Sequence, residues 1–136
     1  MRRQLYYLLS NTAALTALVG DRIYPQRVPT SDGLPYVDFE FTDRVTDYDQ
    51  DGYDNYNMAI VVINSNAGTL LAASNVAAEI FTALNIQNVL VGEVGSQEEL
   101  CSTTLETEID NFELNDGSED GIRTITQTYT ISYMEA

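Results

Sequence analysis

The sequence has no histidine, no lysine, no tryptophan and a single cysteine, Cys101. Without histidine, it has no Ser-His-Asp triad, no Cys-His pair and no histidine zinc site. One cysteine forms neither an internal disulfide nor a cysteine zinc site. The glycines at positions 92 and 95 lack the spacing of a phosphate-binding loop. We therefore expect no enzyme and no cofactor, and a hydrolase built on paired carboxylates is the one enzymatic alternative.

Positive charge is scarce, because six arginines face 21 acidic residues and the formal net charge is −15 at pH 7. Such a chain repels duplex DNA and anionic membrane surfaces. No run reaches the ~18 apolar residues of a membrane span, so no membrane partner is expected. The same charge keeps an assembly subunit soluble before incorporation. The length of 136 residues, with 44% hydrophobic residues, predicts one domain over residues 1–136.

Two helical segments follow from apolar residues spaced at about 3.6 positions. The first covers residues 2–19, as one helix or two short ones, and Gly20 suits its end. The second runs from about Ala67 to Leu84, with Ser65 or Asn66 as its N-terminal cap.

Six strands are predicted from alternating or continuous apolar runs. They lie at about residues 22–28, 37–41, 58–63, 89–94, 105–114 and 124–134, with an acidic hairpin at 44–55. A change of phase predicts a bulge near Asp110 and Asn111. The last strand has apolar residues on one face and five hydroxyls on the other. The expected fold is α+β in two layers, with a mixed or mainly antiparallel sheet, two helices on one face and the order α-β-β-β-α-β-β-β.

Three features favour contact with other subunits. Tyrosine is enriched and over-represented at interfaces, although strand propensity also explains it. The few arginines are expected to pair with the abundant carboxylates. The hydroxyl face of the last strand is flat enough to meet another subunit. The predicted interface residues are Arg22, Tyr24, Arg27, Tyr48, Tyr53, Thr126, Thr128 and Thr130.

An acidic motif occupies residues 47–55. Asp47, Asp49 and Asp51 match the first three side-chain ligands of a calcium loop of the EF-hand kind. Met58 stands where that loop needs a bidentate glutamate, and the context is a hairpin, not two helices. We therefore predict no metal site and keep these aspartates as the candidates for one. The alternative function is an acidic binding module, with or without calcium, that recruits a basic partner through this loop.

The chain resembles a tail-completion protein family of tailed bacteriophages in two segments. They are Leu15-Thr-Ala-Leu-Val-Gly-Asp-Arg-Ile-Tyr-Pro and Leu34-Pro-Tyr-Val. The residue match runs from Leu15 to Phe41. Beyond it, the central strand, the alanine-rich helix and the C-terminal strand follow the family's order of elements. The acidic hairpin and the long region 95–121 depart from the common pattern.

The resemblance implies a structural virion protein made in the host bacterial cytoplasm. It implies a ring, typically of six subunits, at the head-proximal end of the tail tube, which ends tube growth and joins the tail to the head. The implied partners are further copies of the chain, the tail tube protein and a head–tail connector or neck protein. Genomic DNA would pass through the lumen without specific binding.

Overall fold

The protein is described here from a computed structural model, which covers residues 1–26, 34–49, 52–114 and 121–135, with side chains at 1–26, 34–42, 57–111 and 122–134. Within these ranges, three helices and six strands follow the order α-α-β-β-β-α-β-β-β. The helices are α1 (Arg2–Ser10), α2 (Ala13–Val19) and α3 (Leu70–Leu84). The strands are β1 (Ile23–Tyr24), β2 (Tyr36–Asp49), β3 (Gly52–Ala67), β4 (Val89–Val91), β5 (Glu98–Leu114) and β6 (Gly121–Glu135).

The six strands form one mixed sheet in the order β1-β2-β3-β6-β5-β4. β1 pairs with β2 in parallel, and every other neighbouring pair is antiparallel. The buried faces of the three helices and the inner side of the sheet share one hydrophobic cluster. The α+β class and the mixed sheet are therefore as predicted. The order with two helices is wrong, because residues 2–19 form two short helices, which was the alternative given for that segment.

The N-terminal segment contains two helices because side chains end the first one. Asn11 Nδ2 donates to the carbonyl oxygen of Tyr7 at 2.8 Å, and Thr12 Oγ1 donates to that of Leu8 at 2.8 Å. Asn11 N still donates to the carbonyl oxygen of Tyr7 at 3.1 Å, but side-chain bonds of this kind compete with continuation of the helix and favour its end. α2 then ends as expected at Gly20, whose φ of +63° favours glycine. The break leaves both helices with buried residues against the sheet, namely Leu5, Leu9, Leu15 and Val19.

The segment predicted to connect the first hairpin is largely strand. β2 continues to Asp49 and β3 begins at Gly52, with these two residues paired. The predicted strands stop at residue 41 and resume at residue 58 because the acidic hairpin between them is polar, but main-chain pairing does not depend on side-chain polarity.

α3 begins later than its predicted caps. Thr69 is the N-terminal cap, and its Oγ1 accepts a hydrogen bond from Ala72 N at 3.1 Å. Ser65 and Asn66 belong instead to β3, where they pair with both neighbouring strands. The prediction for the other end is confirmed, since Asn85 follows the last helical residue.

The bulges in β5 lie elsewhere than predicted. The register with β6 shifts between Leu100 and Ser102 and between Leu105 and Thr107, whereas Asp110 and Asn111 stay paired. One inserted residue turns the following side chains to the other face. Leu105 therefore packs against the core, while Ile109 is 54% exposed on the outer side.

Tyr129 supports a prediction about pH. It is 1% exposed, and its hydroxyl has no hydrogen-bond partner among the described residues. Burial, and then the Glu108 carboxylate, raise the pKa of this phenol. The folded state therefore holds the proton more tightly than the unfolded chain. The resulting stability is complete below the ordinary tyrosine pKa of about 10 and is lost as pH rises above it.

Tyr129→Phe should be at least as stable as the wild type at neutral pH, because an unpaired buried hydroxyl costs about 1–3 kcal/mol. Between about pH 9 and about pH 11 it should lose less stability than the wild type, since the titrating group is gone. Urea denaturation at each pH measures both effects. The exposed Tyr6→Phe serves as the control and should follow the wild-type profile. Equal losses in Tyr129→Phe and the wild type would contradict the assignment.

Candidate assembly surface

The outer side of the sheet, opposite the helices, carries fifteen residues in five rows of three across β3, β6 and β5. Directly opposed residues of antiparallel strands lie on the same face. The rows are Met58, Ser132 and Ser102; Ile60, Thr130 and Thr104; Val62, Thr128 and Thr107; Asn64, Thr126 and Ile109; Asn66, Thr124 and Asn111. None of them carries a charge, in a chain of net charge −15. We call this set the uncharged panel. The bulge residue Glu106 has no opposed partner on β6, and it lies exposed between Thr104 and Thr107 at the β5 margin of the panel.

A hydrogen-bond network joins one end of the panel to β2. Thr124 Oγ1 donates to Asn66 Oδ1, and Thr126 Oγ1 to Asn64 Oδ1, each at 2.7 Å. Asn64 Nδ2 then donates to Asp38 Oδ1 at 2.7 Å, and Asn66 Nδ2 to Asp38 Oδ2 at 3.0 Å. Asp38 is 3% exposed, so a buried carboxylate receives both chains of donors. The network fixes side chains on three neighbouring strands.

A hollow of about 490 Å³ lies over this end of the panel. Its lining includes the network together with Tyr36, Glu40 and Asn111. These groups offer hydroxyls, amides and carboxylates, and the lining contains no thiol. Such a surface suits hydrogen bonding to another polar surface better than chemistry on a small molecule.

Five of the predicted interface residues have described side chains. Thr126, Thr128 and Thr130 lie half-buried in the panel. Arg22 Nε donates to the carbonyl oxygen of Pro35 at 2.8 Å. The ring of Tyr24 lies against a neighbouring tyrosine ring, with centroids 6.0 Å apart. The Arg22 and Tyr24 contacts join β1 to the start of β2, so both residues have an architectural role, and their part in an interface stays a prediction.

Most of the residues predicted to act in the acidic hairpin have no described side chains. Main chains of Tyr48 and Tyr53 pair across β2 and β3, but their side chains lie outside the described set. The others outside it are Arg27 and Asp51, entirely, and the side chains of Asp47 and Asp49. Among the residues whose side chains the structure describes, no group of three or more acidic or cysteine side chains is placed to hold a metal ion. The prediction of no metal site, with Asp47, Asp49 and Asp51 as the candidates for one, therefore stays untested.

The outer face of α3 is a second surface without charge, and the sequence pattern missed it. This face comprises Leu71, Asn75, Ala78, Phe81 and Thr82, all exposed. Leu71 is 73% exposed and Phe81 is 45% exposed. The helical spacing of Leu70, Ala73, Ala77, Phe81 and Leu84 predicts that Phe81 lies in a buried stripe, and for Phe81 this prediction is wrong. The buried residues are Ala73, Val76, Ala77, Ile80 and Leu84. The sequence did contain a sign of this surface, because α3 has apolar residues on more than one side, and such a helix usually makes a second contact.

Another apolar patch lies at the β4 edge of the sheet. Val94 is 90% exposed and Leu90 is 55% exposed, and both line a hollow of about 300 Å³ that reaches Tyr7 of α1. β4 pairs with β5 alone, so its other edge is open within the described part of the chain. Among the described residues, no helix is long and apolar enough to cross a membrane.

The chain is similar to known proteins in its sequence and in its fold. Among curated proteins, none matches the chain. A chain in the solved structure "Virion of native gene transfer agent (GTA) particle" has a similar fold, with a TM-score of 0.69 and 18% sequence identity over 98% of this chain and 94% of that chain. The family described as tail completion protein gp17 matches residues 3–95, more than half of the sequence. The chain therefore belongs to the tail completion protein gp17 family, and it is a structural protein of the bacteriophage tail.

Proposed function

We propose that this protein acts as one domain, forming a ring of six copies at the head-proximal end of a tail tube. The ring ends growth of the tube and joins the tail to a head connector or neck protein. Its site of action is the virion, after synthesis in the host cytoplasm. It works by binding and positioning neighbours, without catalysis.

The match to the tail completion family is the observation that carries this proposal. The fold is also similar to that of a chain in a virion along nearly the full length of both chains. The extent of the likeness suggests that the two chains work as similar building blocks. The uncharged panel adds a physical reason, since a broad face without charge is unusual on so acidic a chain and suits burial against a neighbour.

The net charge of −15 fits a channel for DNA. A ring of acidic subunits repels the phosphates of passing DNA, because neutralising phosphate charge is what makes DNA adhere to proteins. The exposed carboxylates would therefore keep the genome from binding the wall while it moves through the lumen.

Electron microscopy of purified particles, with this chain labelled, tests the proposal. We expect one ring of label where the tail meets the head, and tubes of uncontrolled length when the chain is absent. Mass measurement on the purified chain or on isolated tails should give six copies for each ring. Label at the baseplate, or none in the particle, would refute the proposal.

The acidic binding module remains distinguishable in the same preparation. It predicts that the purified chain binds calcium or a basic protein, that Asp49→Ala abolishes the binding, and that particles lack the chain. Calorimetry with calcium, and separately with a basic protein, measures the first two points. No detectable binding by calorimetry, together with label where the tail meets the head, would exclude the acidic binding module.

A further inference from the structure

Like charge limits where two copies of this chain can touch. Each carries a formal net charge of −15, so most contacts would bring carboxylates together and remove them from water. Facing like charges across an interface weakens binding strongly. The contact between copies is therefore expected on surfaces without charge.

Besides the apolar patch at the β4 edge, two extended surfaces of the described residues meet this condition. The uncharged panel covers three strands on the outer side of the sheet. The outer face of α3 lies on the helical side and exposes Leu71 and Phe81. Glu79 is the single charged residue of α3, and it lies beside this face, half-buried.

These two surfaces lie on opposite sides of the same sheet, because α3 buries its inner face against the inner side of β3 and β6. Two different patches on opposite sides of a subunit form a head-to-tail contact, which closes into a ring when the rotation allows. A single self-complementary patch would give only a two-fold dimer.

We propose that the outer face of α3 of one subunit packs onto the uncharged panel of the next subunit around the ring. The partner at this surface is a second copy of the chain, and the inference rests on the ring proposed above. Ring formation by itself does not determine which surfaces of the subunits touch.

The dimensions of the two surfaces match. α3 has 15 residues and is about 22 Å long, with a diameter of about 10–12 Å. The panel extends over residues 58–66 of β3, about 27 Å at the rise of an antiparallel strand. Its three strands span about 10 Å between the outer two. One helix therefore covers the panel without reaching Asp38 and Glu40, which lie beside it on β2.

The side chains match in character as well. Leu71 and Phe81 would lie against Ile60, Val62 and the threonine methyl groups. Asn75 and Thr82 would meet the hydroxyl groups of the panel, which accept and donate hydrogen bonds. None of the residues assigned to the two surfaces is charged, so their contact removes none of their own side chains as ions from water.

Introducing a carboxylate on either surface tests the contact. Ala78→Asp and Thr128→Asp should each raise the concentration needed for ring formation at least about tenfold. Ala14→Asp makes the same change on the exposed side of α2 and should stay within about twofold of the wild type. Mass photometry measures ring formation in solution, or copies retained on tails where the free chain is a monomer. Circular dichroism checks that each variant folds.

A photo-crosslinking amino acid at position 78 of an otherwise wild-type chain provides a second readout. Crosslinks to peptides of β3, β5 or β6 of another copy support the proposal. Crosslinks to the β4 patch or to the tube protein, or rings unaffected by both aspartates, overturn it while the ring itself stands. A wild type that forms no ring in solution or on tails refutes the proposed function, and this inference with it.

Discussion

Replacing Phe39 with alanine should lower the free energy of unfolding by about 3–5 kcal/mol, as large core truncations do. Phe39 is completely buried in β2, and its ring meets the edge of Phe41 at a centroid distance of 6.3 Å. Truncation removes a large apolar group from the core and leaves a cavity where β2 meets the helices. Against a typical stability of about 5–15 kcal/mol, the loss threatens folding itself.

Phe81→Ala is the matched control, since it removes the same atoms from an exposed position (45% exposed). Its cost should stay below about 1 kcal/mol. Urea denaturation with comparison of the m-values measures both variants. The two also separate stability from assembly, because Phe81→Ala should weaken the ring while leaving the subunit folded. Equal losses of stability in the two variants would contradict the assignment of core and surface.

The face assignments of β6 followed directly from its sequence. Ile125, Tyr129, Ile131 and Tyr133 are buried, as their alternation with threonine and serine predicts. The pattern succeeds because β6 pairs on both sides along its length and contains no inserted residue of its own. Where the backbone is regular, hydrophobic period alone determines which side faces the core.

β5 shows why the same reasoning failed one strand away. Its side chains change face at Glu106, a charged residue that no apolar pattern marks. Whether a residue is skipped in the pairing depends on the partner strand, and a single strand's sequence does not contain that information. The prediction placed the phase change four positions too late, at Asp110, because Phe112 was the first apolar residue to reveal it.

Asn64 and Asn66 illustrate a different limit. Amides before an alanine-rich helix are typical caps, so Asn66 was assigned to α3. In the structure both amides bind Asp38, which lies 26 and 28 positions earlier in the chain. Pairing of β2 with β3 creates this contact, and local sequence cannot anticipate it. The sequence therefore predicted the threonines of the candidate surface, but not the hydrogen-bond network that holds two of them in place.

Replacing Asp38 with alanine should lower the free energy of unfolding by about 2–3 kcal/mol at neutral pH. Hydrogen bonds to a charged group contribute about 1.5–3 kcal/mol, and truncation leaves two amide donors without their carboxylate. Asn66 keeps weaker acceptors at 3.4 Å, the carbonyl oxygens of Tyr36 and Asn64, so the two bonds are not lost in full. Asp38→Asn should lose about half as much, because one amide oxygen still accepts. Urea denaturation measures both variants.

A double-mutant cycle tests whether the network acts as a unit. Asp38 and Thr126 are joined through Asn64. Asp38→Ala and Thr126→Val should therefore couple by at least about 0.5 kcal/mol. Thr130→Val, two rows further along the same face, is the control and should add to Asp38→Ala within about 0.5 kcal/mol. Additive losses of stability in both pairs would mean that Asp38 stabilises β2 without any energetic coupling to Thr126. Coupling confined to Thr126 would mean that a buried carboxylate on β2 helps to hold the side chains at this end of the panel in place.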